Sequence, residues 1–430
     1  MNHPTPAGPH APADFGAARR RSEAIDLAAR IIRVDSTNGN ETAVAEVLAE
    51  FLAEAGVEAE LVARDPGRAN LVARIPGTGD GPSLAFVGHS DVVPADPRDW
   101  TRPPFGAEID DDGYLWGRGA VDMKNEVAAR TAAVASLARA GWRGRGDLLL
   151  VVVADEEDGS AEVGMNWLVH ERPDIATTYA LNEGGGIAFP LADGRHLTEI
   201  SVGEKGTCPI RVDAIGEAGH ASTPTLGNNA VPLLGQLLAR LGRGEAEPQD
   251  HPQVRVMLDT LLGAGAVERL GLAEAIRRGG LLHPDLATSL PAVAGTTMAP
   301  TLLHGSPARN VMPARAGVEL DCRILPGTTE QDVLDAVRRR LGDDLRYELT
   351  APEPANHGNA SPEGSPLWDV VRRFADEHLD TTLFPTLCSG FTDSVYLRRE
   401  FGTVAYGFSP FATTPAGVID AGYHNADERV

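Results

Sequence analysis

Three short apolar runs in this chain each end in a polar cluster that could do chemistry. Leu84–Val87 is followed at once by Gly88-His89-Ser90-Asp91. Leu148–Val153 is followed by Ala154-Asp155-Glu156-Glu157, and Thr178–Leu181 by Asn182-Glu183 and three glycines. Asp122 and His424 stand apart but share the same residue types. Singly, each is weak: a lone histidine usually packs or sits at the surface, and adjacent acids usually line a solvated turn. Position gives them weight, because charged residues seldom sit at the inner end of a core strand without a partner. Histidine with carboxylate and no thiolate suits a divalent metal such as Zn²⁺. Gly184-Gly185-Gly186 lacks the downstream Lys-Ser or Lys-Thr of a phosphate loop.

Regular elements must carry these clusters. Helical periodicity covers Arg19–Ala55, broken by Ser36–Asn40, and recurs over Met123–Ala140 and Glu162–Val169. Strands alternating with helices predict an α/β fold with a mixed sheet and helices on both faces. Ligands gather at the carboxyl ends of strands in such sheets, where the polar clusters lie. From Gly203 the texture changes. Thr207–Ile215 and Gly317–Leu325 alternate apolar and polar residues as half-buried strands do, and Asn229–Leu241 and Glu330–Leu341 read as amphipathic helices. The expectation is a discontinuous catalytic domain over 18–203 and 329–430, with an α+β domain inserted at 204–328 and a disordered tail at 1–17. Helix Leu367–His378 and strand Thr403–Tyr406 return to the α/β pattern.

Composition narrows the class. The 430 residues carry 38 Lys and Arg against 61 Asp and Glu, a net charge of -23. So acidic a surface repels phosphate backbones and anionic lipid, and there is no strong basic patch, so neither nucleic acid nor membrane is an expected partner. No apolar run approaches the ~20 residues of a membrane span. Cys208, Cys322 and Cys388 are odd in number and far apart, which argues against a disulfide framework and for a reducing, cytoplasmic location.

Several ordered motifs together resemble one family. Gly88-His89-Ser90-Asp91-Val92-Val93-Pro94, Gly117-Arg118-Gly119-Ala120-Val121-Asp122-Met123-Lys124 and Asp155-Glu156-Glu157 are similar to the dinuclear zinc peptidases. That family includes aminoacylase, acetylornithine deacetylase, succinyl-diaminopimelate desuccinylase and carboxypeptidase S. Gly219-His220-Ala221-Ser222 and Arg309-Asn310-Val311-Met312-Pro313 follow in the family's order. The resemblance runs from about residue 25 to residue 428.

It implies a metallopeptidase or amidohydrolase of carboxypeptidase, dipeptidase or deacylase type. The substrate would be a peptide or N-acyl amino acid with a free carboxylate. Two divalent ions, zinc first and cobalt or manganese as alternatives, would be held by His89, Asp122 and Glu183 and by Asp122, Glu157 and His424. Asp122 would bridge. Glu156 would be the general base for a metal-bridging hydroxide, and Asp91 would fix the tautomer of His89. Three carboxylates and one hydroxide would balance two divalent ions. The resemblance also implies a cis peptide bond at Asp122–Met123. In the insert, which would serve as lid and dimerisation domain, His220 would stabilise an oxyanion across a homodimer interface. Arg323 would grip the substrate carboxylate through its planar fork, against the alternative of a strand salt bridge with Asp321. Asn310 would position a substrate oxygen, or else serve as a turn residue. Ser389 and Gly390 would belong to a glycine-rich substrate loop.

The chain departs from the family at four points. Phe391 stands where glycine is usual, narrowing the pocket. Asn125 replaces a common glycine and Asp427 a common asparagine. The sequence stops at Val430, where relatives continue into a terminal helix, so a sequence cut short there and weaker packing behind His424 are both expectations. Phe391 and this ending motivate the alternative, a non-catalytic relative that binds metal or ligand; the retained Glu156 speaks against it, since a pure binder needs no general base.

Overall fold

The computed structural model describes residues 17–306, 308–411 and 414–430. The tail expected over 1–17 therefore lies, as far as residue 16, outside the described residues. The chain divides into two compact units. The first takes the segment ending at Glu183, Glu400–Ala405 and the segment from Phe411 onward; the second takes Gly184–Arg399 and Tyr406–Pro410.

In the first unit, strands β1 (Ala59–Ala63), β2 (Ala69–Ile75), β3 (Leu84–His89), β4 (Glu108–Ile109), β5 (Leu115–Trp116), β6 (Leu148–Val153) and β7 (Tyr179–Asn182) accompany helices α1 (Ala17–Ile32), α2 (Glu41–Ala53), α3 (Lys124–Arg139) and α4 (Met165–Glu171). The sheet order is β1-β2-β6-β3-β7. β1–β2 and β2–β6 are antiparallel, whereas β3 runs parallel to both β6 and β7, so the sheet is mixed as expected. All six residues of β6, three Leu and three Val, are buried, as in a strand covered on both faces. Leu48 and Leu52 of α2, Val127 of α3, Ile32 of α1 and Leu71, Leu150 and Val152 of the sheet share one apolar core.

Register does the positioning. His89 stands opposite Val153, and Phe86 opposite both Leu150 and Leu181. The carboxyl ends of β3, β6 and β7 are therefore level, and the polar clusters that follow them emerge at one edge. Gly88 permits a close approach there: a Cβ on it would lie 2.9 Å from both the Met123 Cε and the Val127 Cγ2. Helix α4 begins at Met165 rather than Glu162, because Glu162 has a positive φ of 53° and cannot continue a helical turn. Neither β1 nor β2 was evident from periodicity.

In the second unit, strand His196–Glu204 pairs in parallel with Thr382–Cys388. An antiparallel sheet runs Glu247–Pro248, Gly295–His304, Arg315–Ile324, Ile210–Ile215, Tyr347–Thr350. Leu234, Leu237 and Leu241 of one helix and Val333, Val337 and Leu341 of another pack on it, the α+β pattern expected of the insert. This sheet also draws in Glu330–Leu341 and Tyr347–Thr350, from beyond residue 328. No helix among the described residues is long and apolar enough to cross a membrane. Cys208, Cys322 and Cys388 form no disulfide.

Candidate metal centre

His89 closes β3 and is 1% exposed. Its Nδ1 lies 3.1 Å from the backbone oxygen of Asp91 and 3.5 Å from Asp91 Oδ1. This turns Nε2 toward Asp122 Oδ1 at 3.1 Å, Glu183 Oε2 at 3.6 Å and Glu156 Oε2 at 3.9 Å. The other oxygen of Asp122 faces the other histidine: Oδ2 lies 3.4 Å from His424 Nε2, which is 3.0 Å from Glu157 Oε2. One carboxylate thus serves two separate groups, His89–Asp122–Glu183 and Asp122–Glu157–His424. Within each group the ligand atoms all lie inside 4.8 Å of one another. The Asp122–Met123 peptide bond is cis, as the resemblance implied.

Electrostatics fit a cation. Burial pushes Glu183 up to about 7, aided by the like charges of Asp122 and Glu157 and opposed by His89. Burial works against a proton on His89, but Glu183, Asp122 and Asp91 overcome it and raise its affinity well above the ordinary value. Bonds to Asp122 and Glu157 push His424 up to about 10. Asp122 is held below the usual carboxylate range: burial opposes this, and bonds from His424 and His89 outweigh it. Crowded carboxylates with little countercharge gather protons; divalent ions would neutralise them instead. Glu157 Oε1 and Asp91 Oδ1 are buried without a hydrogen-bond partner, a deficit that a bound cation would relieve at Glu157. The donor set of two imidazoles and three carboxylates suits zinc, cobalt or manganese.

Asp91 is buried behind this cluster, its Oδ2 accepting the Glu157 N–H at 3.0 Å. It stays below the ordinary carboxylate range: burial opposes ionisation, while His89 and the N–H groups of Glu157 and Glu156 favour it.

Sequence reasoning missed Glu428. Its buried carboxylate accepts from Arg118 Nη1 at 2.6 Å and from the N–H groups of Val121 at 2.6 Å, Asp122 at 3.0 Å and Gly119 at 3.1 Å. It therefore holds the turn that delivers Asp122. Nothing in its local spacing separates it from a solvated acid; only its pairing with Arg118, far away in sequence, marks it. Val430 exchanges hydrogen bonds with Leu115, and Gly117 donates to Glu428 O. Asp427, the departure noted above, accepts from Thr101 N at 2.8 Å and Thr101 Oγ1 at 2.9 Å. Trp116 is stacked by both Arg102 and Arg429, a packing role.

The remaining expected residues lie in the second unit. His220 is exposed, with its Nδ1 accepting from Ser222 N at 3.2 Å and lying 2.7 Å from Ser222 Oγ. Asn310 adjoins it: Ala221 N donates to Asn310 O at 3.0 Å, and His220 pairs with Val311. Arg323 forks onto Asp321 at 2.7 and 3.0 Å, the strand salt bridge named as its alternative. Ser389 and Gly390 follow the strand Thr382–Cys388, and Phe391 meets the Tyr396 ring edge-on with centroids 5.7 Å apart.

A family model described as peptidase family M20/M25/M40 matches residues 85–430. The succinyl-diaminopimelate desuccinylase of Rhodospirillum centenum is 28% identical over 362 residues, covering 81% of this chain and 77% of that one. A probable carboxypeptidase S-like protein of Dictyostelium discoideum is also 28% identical, over 72% of this chain and 61% of its own length. Among solved structures, an M20 family metallo-carboxypeptidase of Sulfolobus solfataricus shares the fold, with a TM-score of 0.67 at 18% identity over 95% of this chain and 94% of that one.

Two predictions follow from the geometry. Glu183 and both histidines hold protons strongly when no cation competes, and a metal ligand must be deprotonated. Loading metal-stripped protein at pH 7 should therefore release protons, and affinity should fall as pH drops from 8 to 5.5. Calorimetry in buffers of different ionisation heat checks this; pH-independent affinity would contradict it. Replacing Glu428 by Ala would leave Arg118 charged, buried and unpaired, which costs about 3–5 kcal/mol. Urea denaturation should show that loss, and a change below about 1 kcal/mol would refute the anchoring role.

Proposed function

We propose a reaction from the premise that the chain belongs to peptidase family M20/M25/M40: it cleaves the amide bond of a peptide or N-acyl amino acid bearing a free carboxylate. The chain is a hydrolytic enzyme of the metallopeptidase or deacylase type, and metal-dependent amide hydrolysis is its general chemistry. The observation that carries the finer reading is Asp122 facing His89 with one oxygen and His424 with the other.

In this reading His89, Asp122 and Glu183 hold one divalent ion, and Asp122, Glu157 and His424 the second. Such ions, when bound, polarise a substrate carbonyl and acidify water. Glu156 is the general base. It accepts a proton from the attacking water and passes it to the leaving nitrogen. Its neighbour Glu157 is held by Asp91 through the backbone, so one carboxylate can bind metal while the next handles protons. Asp91 keeps the Nδ1 proton on His89 through its backbone oxygen, with its side-chain charge 3.5 Å away in support, and leaves Nε2 for metal.

The region 204–328 is, in the same proposal, the lid and dimerisation domain. His220 stabilises the oxyanion across the homodimer interface, Asn310 positions a substrate oxygen, and Ser389 and Gly390 belong to the substrate loop. Arg323 takes the substrate carboxylate through its planar fork, which here is engaged by Asp321. Leu302 and Leu303 are exposed on the strand Gly295–His304, whose residues 297–304 pair on one side with Arg315–Ile324. An apolar strand edge of this kind favours a second copy, so we take the enzyme as a homodimer. The unbridged cysteines agree with a reducing, cytoplasmic location.

A panel of N-succinyl and N-acetyl amino acids and dipeptides, assayed after reconstitution with Zn²⁺, Co²⁺ or Mn²⁺, tests the reaction; no turnover on any would end it. Glu156→Ala should keep metal yet lose ~10²–10⁴-fold in kcat. Arg323→Ala should raise KM by ~10–100-fold, the worth of a charge-assisted hydrogen bond, and spare kcat. Light scattering should give twice the chain mass; a fully active monomer would remove the dimer.

A further inference from the structure

Glu156 and Glu157 ride on a loop that leaves β6 at Val153 and rejoins regular structure only at Met165. Two residues, Arg68 just before β2 and Asn70 within it, govern that loop.

Asn70 is buried and clamps both feet of the loop. Its Oδ1 accepts from Ala154 N at 3.0 Å, and its Nδ2 donates to Val163 O at 2.8 Å and Val62 O at 3.1 Å. The feet nearly touch: a Cβ on Gly164 would lie 2.0 Å from Ala154 O. Asn70 therefore closes the loop but does not reach the residue that turns it.

That residue is Asp155, whose φ is +60°. A left-handed backbone is disfavoured for a residue with a Cβ and persists where surroundings enforce it. Arg68 Nη2 donates to Asp155 Oδ1 at 3.2 Å. The same guanidinium is fixed from behind by Glu41, whose Oε1 accepts from Arg68 Nη2 at 2.6 Å and Nε at 3.0 Å. Glu41 is buried and is itself tied by Gly39 N, which donates to its Oε2 at 3.1 Å. On its other side Asp155 Oδ2 accepts from Val163 N at 3.4 Å, and its backbone oxygen accepts from Gly159 N at 3.1 Å. Asp155, Glu156 and Glu157 are consecutive and repel one another, so the turn needs a cation to hold it. Rotation about Asp155 would carry Glu156 with it.

We propose that Arg68, braced by Glu41, is a positioning residue for the general base. By bonding Asp155 it keeps the left-handed turn that sets Glu156 beside His89. This rests on the reading of Glu156 as base. Arg68 touches neither substrate nor metal in this scheme; among the acids of the centre its direct bond is to Asp155, and it attracts Asp91 from further off. A tie between strand and loop would already be provided by Asn70, so a purely structural Arg68 has no reason to affect turnover selectively.

The test compares Arg68→Met, Arg68→Lys and Glu156→Gln in full-length, metal-reconstituted protein, measuring metal content, kcat and KM on whichever panel substrate turns over. Arg68→Met should keep the wild-type metal content and a KM within about threefold, while kcat falls ~10²-fold, as misplacement by about 1 Å does. Arg68→Lys, which offers Asp155 one N–H, should recover roughly tenfold of that loss. Wild-type kcat in Arg68→Met, or a loss carried wholly by KM or by metal content, overturns the proposal. If Arg68→Met does not fold, Arg68→Lys decides: a kcat below wild type at unchanged KM and metal content supports positioning, and an unchanged kcat overturns it. An active Glu156→Gln would instead overturn the base assignment, whereas a dead Glu156→Gln beside an unimpaired Arg68→Met removes only the positioning role.

Discussion

Mutual repulsion among Asp91, Asp122, Glu156, Glu157 and Glu183 is the constraint on which the first unit depends. Like charges drawn out of water cost free energy unless something answers them. The fold answers in layers. His89 and His424 face the cluster, backbone N–H groups of the Glu156–Glu157 turn face Asp91, and Arg68 faces Asp155 from the side. Glu428 adds another buried carboxylate close by, matched by Arg118. What remains unanswered is concentrated between the two histidines, where cations belong.

The level carboxyl ends of β3, β6 and β7 make this gathering possible. Parallel pairing in register brings His89, Glu156–Glu157 and Glu183 to one edge although they are far apart in sequence. Because β6 is buried on both faces, its polar successors have no other side to turn to. Asp122 arrives from outside the sheet and needs separate support, which the Glu428 contacts provide.

Much of this was legible in the residues. Apolar runs of strand length ending in acids and histidine announced β3, β6 and β7, and the helical periods of α1, α2 and α3 were clear. The ordered motifs then selected His89, Asp122, Glu157, Glu183 and His424, which do fall into two trios. Other features were not legible, for physical reasons. β2 reads ANLVARI, almost wholly buried, without the alternation that reveals a half-exposed strand. Arg68, Asn70, Arg118 and Glu428 act through partners far along the chain, and single-residue identity carries no trace of a partner. Arg323 shows the converse: its type suits carboxylate recognition, and the carboxylate it holds is its own neighbour Asp321.

The separation of Arg118 from Glu428, 310 residues along the chain, has a consequence for biosynthesis. At ~5–20 residues per second, a ribosome takes roughly 15–60 s to travel between them. His89, Asp122 and Glu183 all emerge early, with the strands that align them. Asp122 then waits without the carboxylate that holds its turn, and Glu157 waits without His424. The two trios are thus completed at different times, one when residue 183 is made and the other only at residue 424. Through that interval His89 is the one imidazole of the two trios present to answer these acids, so their repulsion is greatest before His424 is made.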